Sequence, residues 1–314
     1  MHKLPKREEM VAVLDTLSGQ HLKGKERPLR LCLMALLTGG HLLLEDLPGL
    51  GKTTMALAFA SSLGLSFGRV QCTSDLLPSD ITGLSIFDRV AGHFTFIRGP
   101  IFNNIVLIDE INRAMPKTQS ALLEAMEERR VTVEGVTYQL PDPFLVLATQ
   151  NPVEQIGTYQ LPESQMDRFI MRTGIGYPSE EIEKGIFRYG SIRDDILQIP
   201  AMVSRDDLLE AIRTVRSEVY LGEKVTDYVY AIIKATRSHQ LIQNGISTRG
   251  GIGLVDAAKA LAYLQGRSFV VPEDVKELAP VVCAHRLTFC PEQEGVDKEQ
   301  ILNAILKEIP LPLI

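Results

Sequence analysis

Leu42-Leu43-Leu44-Glu45-Asp46-Leu47-Pro48-Gly49-Leu50-Gly51-Lys52-Thr53-Thr54 sets the architecture of this chain. It begins as an apolar strand, turns through a loop with two glycines and enters a helix, the outline of a phosphate cradle. Gly49 and Gly51 let backbone N–H groups close on phosphate oxygens, and Pro48, Leu50 and Thr54 are counted with them as cofactor-binding residues of the loop. Lys52 can reach the β- and γ-phosphates, and Thr53 offers a hydroxyl to Mg²⁺. The helix that follows directs its positive end at the anion. In the usual spelling, G-x-x-x-x-G-K-[ST], the first glycine falls on Asp46, which is a departure. A plain glycine-containing turn between strand and helix is the competing reading.

Around this loop the chain has 314 residues, 45% of them apolar, enough for one large core or for a core with a smaller second domain. Lys and Arg number 33 against 39 Asp and Glu, and the resulting charge of −6 supplies no general attraction to nucleic acid or anionic lipid. Cys32, Cys72, Cys283 and Cys290 are scattered, with no C-x-x-C pair and no legible secretory leader, so a cytoplasmic protein is expected. Apolar runs such as Leu31 to Leu37 fall well short of the ~18 residues that span a bilayer, and no transmembrane segment is expected. The six histidines lack metal-ligand spacing, so His93 and His285 read as surface or packing residues and no zinc site is expected.

Helix and strand signals alternate through the first half. Helices are expected near Glu8 to Leu17, from Glu26 to Thr38 with Gly39-Gly40 as its cap, from Thr53 to Leu63, and from Pro116 to Glu128. Buried strands are expected at His41 to Glu45, Phe67 to Cys72, Ile105 to Ile108, Phe144 to Thr149 and Ile170 to Ile175, five in all. Two polar-apolar hairpins interrupt the pattern, one from Leu84 to Ile97 with a turn at Ala91-Gly92, the other from Val131 to Tyr138 around Glu134-Gly135. Residues 179–200 are charged and weakly patterned and read as a connection. Beyond it Ser204-x-x-Asp207 resembles a capping box. Helices follow near Val225 to Ser238, Thr248 to Gln265, Pro272 to Ala284 and Asp297 to Glu308. The expected organisation is a nucleotide-binding core over residues 1–178, a linker over 179–200 and a helical domain over 201–314.

The strand Ile105 to Ile108 ends in Asp109-Glu110. Beside a phosphate loop, Asp109 could hold Mg²⁺ through water while Glu110 orients or deprotonates an attacking water. Taken alone, two acids at a strand end describe a solvated turn equally well. Asn151 ends the next strand, where a γ-phosphate would lie, and Asn151-Pro152 is also an ordinary turn. Arg249 at a helix start conflicts mildly with the helix dipole, although exposed arginines there are common surface residues.

Several stretches together resemble the MoxR family of AAA+ ATPases, in the branch with an insert in the second helix. They are Gly40 to Asp46, the Pro48 to Thr53 loop, Asp75 to Asp80, Gly99 to Phe102, Asp109 to Ala114, Lys117 to Met126, Ala148 to Pro152 and Leu161 to Glu163. Asp46 is familiar in that family. The resemblance implies an α/β AAA+ core with a five-stranded, mostly parallel sheet and an all-α C-terminal lid. It implies ATP and Mg²⁺ as ligands, with Lys52 and Thr53 on phosphate and metal, Asp109 completing the metal shell, Glu110 activating water and Asn151 as the first sensor. Arg168 resembles an arginine finger acting on a neighbouring subunit. Arg249 would be the second sensor, touching phosphate in its own subunit. Gly24, in Leu22 to Lys25, falls in the adenine-side segment, where Lys25 departs from the family's common Gly-Gln.

The same resemblance implies a ring, usually a homo-hexamer, that hydrolyses ATP to remodel protein clients, often with a von Willebrand A-type partner and sometimes during metal-centre insertion. A nucleic-acid motor is the rival from another class. The acidic balance and the lack of an aromatic-basic stripe speak against it. A nucleotide-gated binding module with little turnover is a third reading, which an intact Glu110 and Arg168 disfavour.

Overall fold

The computed structural model describes residues 4–89, 92–153, 157–190, 196, 198–290 and 296–313. Strands β1 (Leu42–Glu45) and β2 (Phe67–Gln71) precede a hairpin of β3 (Gly83–Asp88) and β4 (His93–Arg98). β5 (Ile105–Asp109) is followed by a second hairpin, β6 (Arg130–Val133) and β7 (Val136–Gln139), and then by β8 (Leu145–Gln150) and β9 (Met171–Thr173). Five of these strands form one sheet in the order β2-β5-β8-β1-β9, every neighbouring pair parallel. They are the five expected strands, within one or two residues at each end.

The central strands β5, β8 and β1 are apolar on both faces because both faces are covered. Successive residues point to opposite sides of a strand. Leu42 and Leu44 therefore join Ile105, Leu107, Leu145 and Leu147 in one hydrophobic cluster, whereas Leu43 joins Val106, Ile108, Val146 and Ala148 in another. The first cluster takes in helices Glu26–Thr38 and Lys52–Ser62 and extends into the C-terminal helices through residues such as Leu208 and Leu261. The second is covered by helix Pro116–Glu128 through Leu122, Leu123 and Met126. At the entry to β1, Gly39 caps the preceding helix with φ 71°, a left-handed conformation that glycine adopts without strain. Gly40 is required for a different reason, since a Cβ there would lie 2.6 Å from Ile170.

The C-terminal part is helical, comprising Arg205–Ser217, Glu223–Ser238, Thr248–Leu264, Pro272–Cys283 and Lys298–Glu308. The expected capping box is present. Asp207 N–H donates to Ser204 Oγ at 3.1 Å, and Ser204 N–H donates to the Asp207 carboxylate at 3.2 Å. The N-terminal helix, Arg7–Thr16, packs against this part: Arg7 donates twice to the Leu264 carbonyl and Tyr263 Oη donates to the Pro5 carbonyl. Within the stretch read as an unpatterned connection lies another helix, Glu180–Tyr189. Its first turn holds Glu180, Glu181 and Glu183, acids that favour a helix N-terminus and that made the sequence look like a charged linker. Residues 191–195 and 197 of that stretch lie outside the described residues, as does Ala91 of the expected hairpin turn. Among the described residues no helix is long and apolar enough to cross a membrane.

The two hairpins touch. Phe96 on β4 stacks on Tyr138 of β7, ring centroids 4.2 Å apart and 20° from parallel, with Phe102 edge-on to both. Phe96 and its cross-strand partner Ser85 share one face of the β3–β4 hairpin, and Leu84, Ile86 and Ile97 occupy the other, exposed face.

His41 is a buried junction between layers. Its Nε2–H donates to the Met126 carbonyl at 3.1 Å while Nδ1 accepts the Val146 N–H at 3.0 Å, which fixes a neutral tautomer. Burial lowers its pKa from 6.5 to about 4, so the unfolded chain takes up a proton that the native state refuses. This contribution to stability is complete above the unfolded value and is lost as pH falls toward the folded one, about 3 kcal/mol in all. His285, also lowered by burial, acts in the same direction. Urea unfolding midpoints are expected to fall between pH 7.5 and pH 4.5, and less steeply in His41→Gln. An identical pH slope in that variant would contradict the assignment.

Candidate functional site

All strands of the sheet point the same way, so the loop after β1, the end of β5 and the end of β8 lie along one edge. They enclose a cleft of about 320 Å³. Pro48, Gly49, Gly51, Lys52, Thr53 and Thr54 line it from the loop, Asp109 and Glu110 from β5, and Asn151 from beyond β8. β8 lies between β1 and β5. Asn151 therefore emerges between the loop and the acidic pair, and its Oδ1 also accepts the Val153 N–H at 3.2 Å, so the turn and the cleft position coexist. Leu50 belongs to the same turn without lining the cleft.

The loop turns on two left-handed glycines, Gly49 with φ 84° and Gly51 with φ 87°, and a Cβ at either would meet no atom within 4 Å. Conformation, not crowding, selects glycine here, and the open space above is what an anion held by backbone N–H groups needs. Lys52 lies across the loop, its Nζ donating to the Asp46 carbonyl at 2.6 Å. Burial lowers its pKa, while Asp46, Asp109 and Glu110 pull it back up.

Asp46 explains the departure from the usual spelling. Its carboxylate accepts the N–H groups of Ile175 and Gly176, the latter at 3.1 Å, and so ties the root of the loop to the chain leaving β9. Gly174 leaves room for it, because a Cβ there would come within 3.0 Å of Asp46 Oδ2. The buried Lys25 extends the tie, donating from Nζ to the Gly176 carbonyl at 2.7 Å. Gly24 does not line the cleft. It packs at the side, where a Cβ would meet Ile182 of helix Glu180–Tyr189 at 3.1 Å.

At the acidic pair, Thr149 Oγ accepts the Glu110 N–H at 2.8 Å and approaches Asp109 Oδ1 at 3.4 Å. Arg69 Nε contacts Asp109 Oδ2 at 2.7 Å. The Glu110 carboxylate meets Gln71 Nε2 at 3.2 Å and Arg113 Nε at 3.0 Å. Glu110 itself has φ 56° and ψ 52°, unusual for a residue with a Cβ and a form of strain concentrated at functional sites. Thr149, Arg69 and Gln71 were missed from the sequence. The alternation in β2, with Arg69 and Gln71 on one face next to β5, is the signal that could have found those two.

Arg168 and Arg249 are not in this cleft. Ile170 N–H donates to the His41 carbonyl before β1, and the Met126 carbonyl accepts from His41, so Arg168 and Glu127 stand at the amino edge. The four residues of β1 separate the two edges by about 13 Å. Arg168 Nε lies 3.1 Å from Glu127 Oε2, and Arg249 Nη2 lies 2.5 Å from Glu127 Oε1. Arg249, expected to touch phosphate in its own subunit, stands in this structure beside Glu127 and away from the cleft. The cause is where its helix docks: Ser247 Oγ donates to Asp167 at 3.0 Å, and Arg286 contacts Asp167 at 2.6 Å and the Phe169 carbonyl at 2.8 Å. The Ser247 bond fastens the start of helix Thr248–Leu264 to the entrance of β9, and Arg286, from the turn after helix Pro272–Cys283, holds the same entrance.

A parallel sheet with a phosphate loop after β1 and an acidic pair two strands away defines a P-loop nucleotide-binding protein. Residues 41–171 match the ATPase family associated with various cellular activities, and residues 234–305 match the AAA lid domain. The chain is 46% identical over 292 residues to the uncharacterised protein YeaC of Bacillus subtilis, covering 92% of this chain and 91% of that one. It is 40% identical over 303 residues to chaperone MoxR1 of Mycobacterium tuberculosis, covering 93% and 79%. The crystal structure of a candidate ATPase from Cytophaga hutchinsonii superposes with a TM-score of 0.89 at 39% identity, covering 98% and 96%. The chain belongs to the MoxR family of AAA+ ATPases, with an α/β core and a helical C-terminal lid.

The tether by Asp46 has a measurable consequence. Asp46→Gly restores the common spelling yet strands two backbone donors, and is expected to lower unfolding free energy by about 1–3 kcal/mol. Urea denaturation checks this, and a variant as stable as the parent would remove the tether.

Proposed function

We propose that the protein is an ATP-hydrolysing chaperone that works as a ring of identical subunits, six by family resemblance, with residues 1–178 as core, 179–200 as connection and 201–314 as lid. The observation that carries this reading is the division of charge across the sheet. Phosphate-binding groups and the acidic pair share one cleft, while two arginines stand at the opposite edge, out of reach of that cleft but available to another subunit.

The residues fit ATP with Mg²⁺. Backbone N–H groups from Gly49 to Thr54 and the Lys52 ammonium donate to phosphate oxygens. Thr53 and Asp109 would hold Mg²⁺, which when bound neutralises charge on the phosphates. Glu110 takes the proton of the attacking water, a role in which a positioned base typically contributes ~10²–10⁴ in rate. Asn151 orients the water or the terminal phosphate. Arg168, and by its position Arg249, stabilise charge on the nucleotide of a neighbouring subunit.

Work on protein clients falls to the hairpins. β3–β4 and β6–β7 are joined by the Phe96–Tyr138 stack, and Leu84, Ile86 and Ile97 lie exposed on the far face. Apolar side chains on loops carried by a rigid scaffold suit recognition of a client or of a von Willebrand A-type partner, including assistance to metal-centre insertion.

Lys52→Ala is expected to abolish ATP binding, whereas Glu110→Gln is expected to bind ATP like the parent and lose at least about a hundredfold in turnover. Nucleotide titration and steady-state ATPase measurements check this, and equal loss of binding in both variants would refute the assignment.

A further inference from the structure

Glu127, the penultimate residue of helix Pro116–Glu128, divides its carboxylate between two arginines of different parts of the fold. Oε2 faces Arg168 Nε, from the core, and Oε1 faces Arg249 Nη2, from the first turn of a lid helix. Two guanidinium groups this close repel one another, and a single carboxylate between them removes the repulsion and fixes their separation. Neither arginine is used up by the contact. Arg168 is engaged through Nε alone, which is buried and makes no aligned hydrogen bond. Among the described residues neither its two terminal nitrogens nor the other nitrogens of Arg249 have another protein partner. The next basic residue, Arg129, is turned away and caps the Gly39 carbonyl at 2.5 Å.

We infer that Glu127 is a positioning residue that sets Arg168 and Arg249 side by side as one two-armed clamp for the terminal phosphate of a nucleotide held by a neighbouring copy. This rests on the proposed reading of both arginines as acting between subunits. The carboxylate takes Arg168 through Nε and Arg249 through Nη2 and leaves their remaining N–H groups for phosphate oxygens, the several donors that arginine supplies and lysine does not. It also pins a lid residue to the core. Glutamine cannot substitute. Its one carbonyl oxygen satisfies one arginine, and its amide NH₂ turns donors toward the other.

The test uses the full chain. Glu127→Gln is expected to lose at least tenfold in ATP turnover at saturating ATP while its melting temperature and its affinity for a fluorescent ATP analogue stay at the parent's values. Glu128→Gln, whose carboxylate pairs with Arg130 at the surface, is expected to keep full turnover. In an Arg168→Ala, Arg249→Ala background, read by single turnover of radiolabelled ATP, Glu127→Gln is expected to add less than a twofold loss. An undiminished loss in that background marks a general structural effect and overturns the inference, as does parental turnover in Glu127→Gln when Arg168→Ala and Arg249→Ala are each impaired. Parental turnover in both arginine variants overturns instead the reading on which the inference rests.

Discussion

In a parallel sheet every strand runs the same way, so groups that follow strands collect along one edge and groups that precede them along the other. Here that constraint does most of the functional sorting. The phosphate loop after β1, Asp109-Glu110 at the end of β5 and Asn151 beyond β8 converge because those strands are neighbours or next neighbours. Arg168, which precedes β9, is held to the other edge by the same rule. A side chain cannot cross about 13 Å of sheet core, so under the proposed function a single chain carries two halves of a site that face in opposite directions.

The cleft depends on tethers within its own wall and just behind it. Asp46 ties the loop to residues 175 and 176, Lys25 buttresses the same turn, and Thr149 satisfies the N–H of the left-handed Glu110. Each bond joins residues distant in sequence and holds a strained or flexible segment in the geometry its chemistry requires. The replacement of a loop glycine by Asp46 is therefore a gain of structure, since the residue lies at the root of the loop and the turning glycines, Gly49 and Gly51, remain.

Much of this was legible beforehand because the signals are local. The buried strands read as apolar runs, helix limits follow Gly39, Pro116, Ser204 and Ser247, and the loop announces itself by spelling. What was not legible depends on pairing at a distance. Nothing near Arg249 says that its helix start is bonded to Asp167, and the family resemblance alone directed that arginine to its own subunit's phosphate. Glu127 lies in a helix-forming stretch where an acid looks like a solvated surface residue until Arg168 and Arg249 are brought to it. Helix Glu180–Tyr189 escaped because the acids of its first turn suggest a linker, although Ile182, Ile186 and Phe187 fall at helical spacing.

The account's central claim is that catalysis needs one edge from each of two subunits. Lys52→Ala leaves the arginines intact and Arg168→Ala leaves the cleft intact, so each variant alone should be nearly inactive. In an equimolar mixture, random assembly pairs an intact cleft with an intact arginine edge at about a quarter of interfaces, and ATPase should recover to about that fraction of the parent's rate. A mixture as inactive as its two components, in assemblies shown to exchange subunits, would contradict the account.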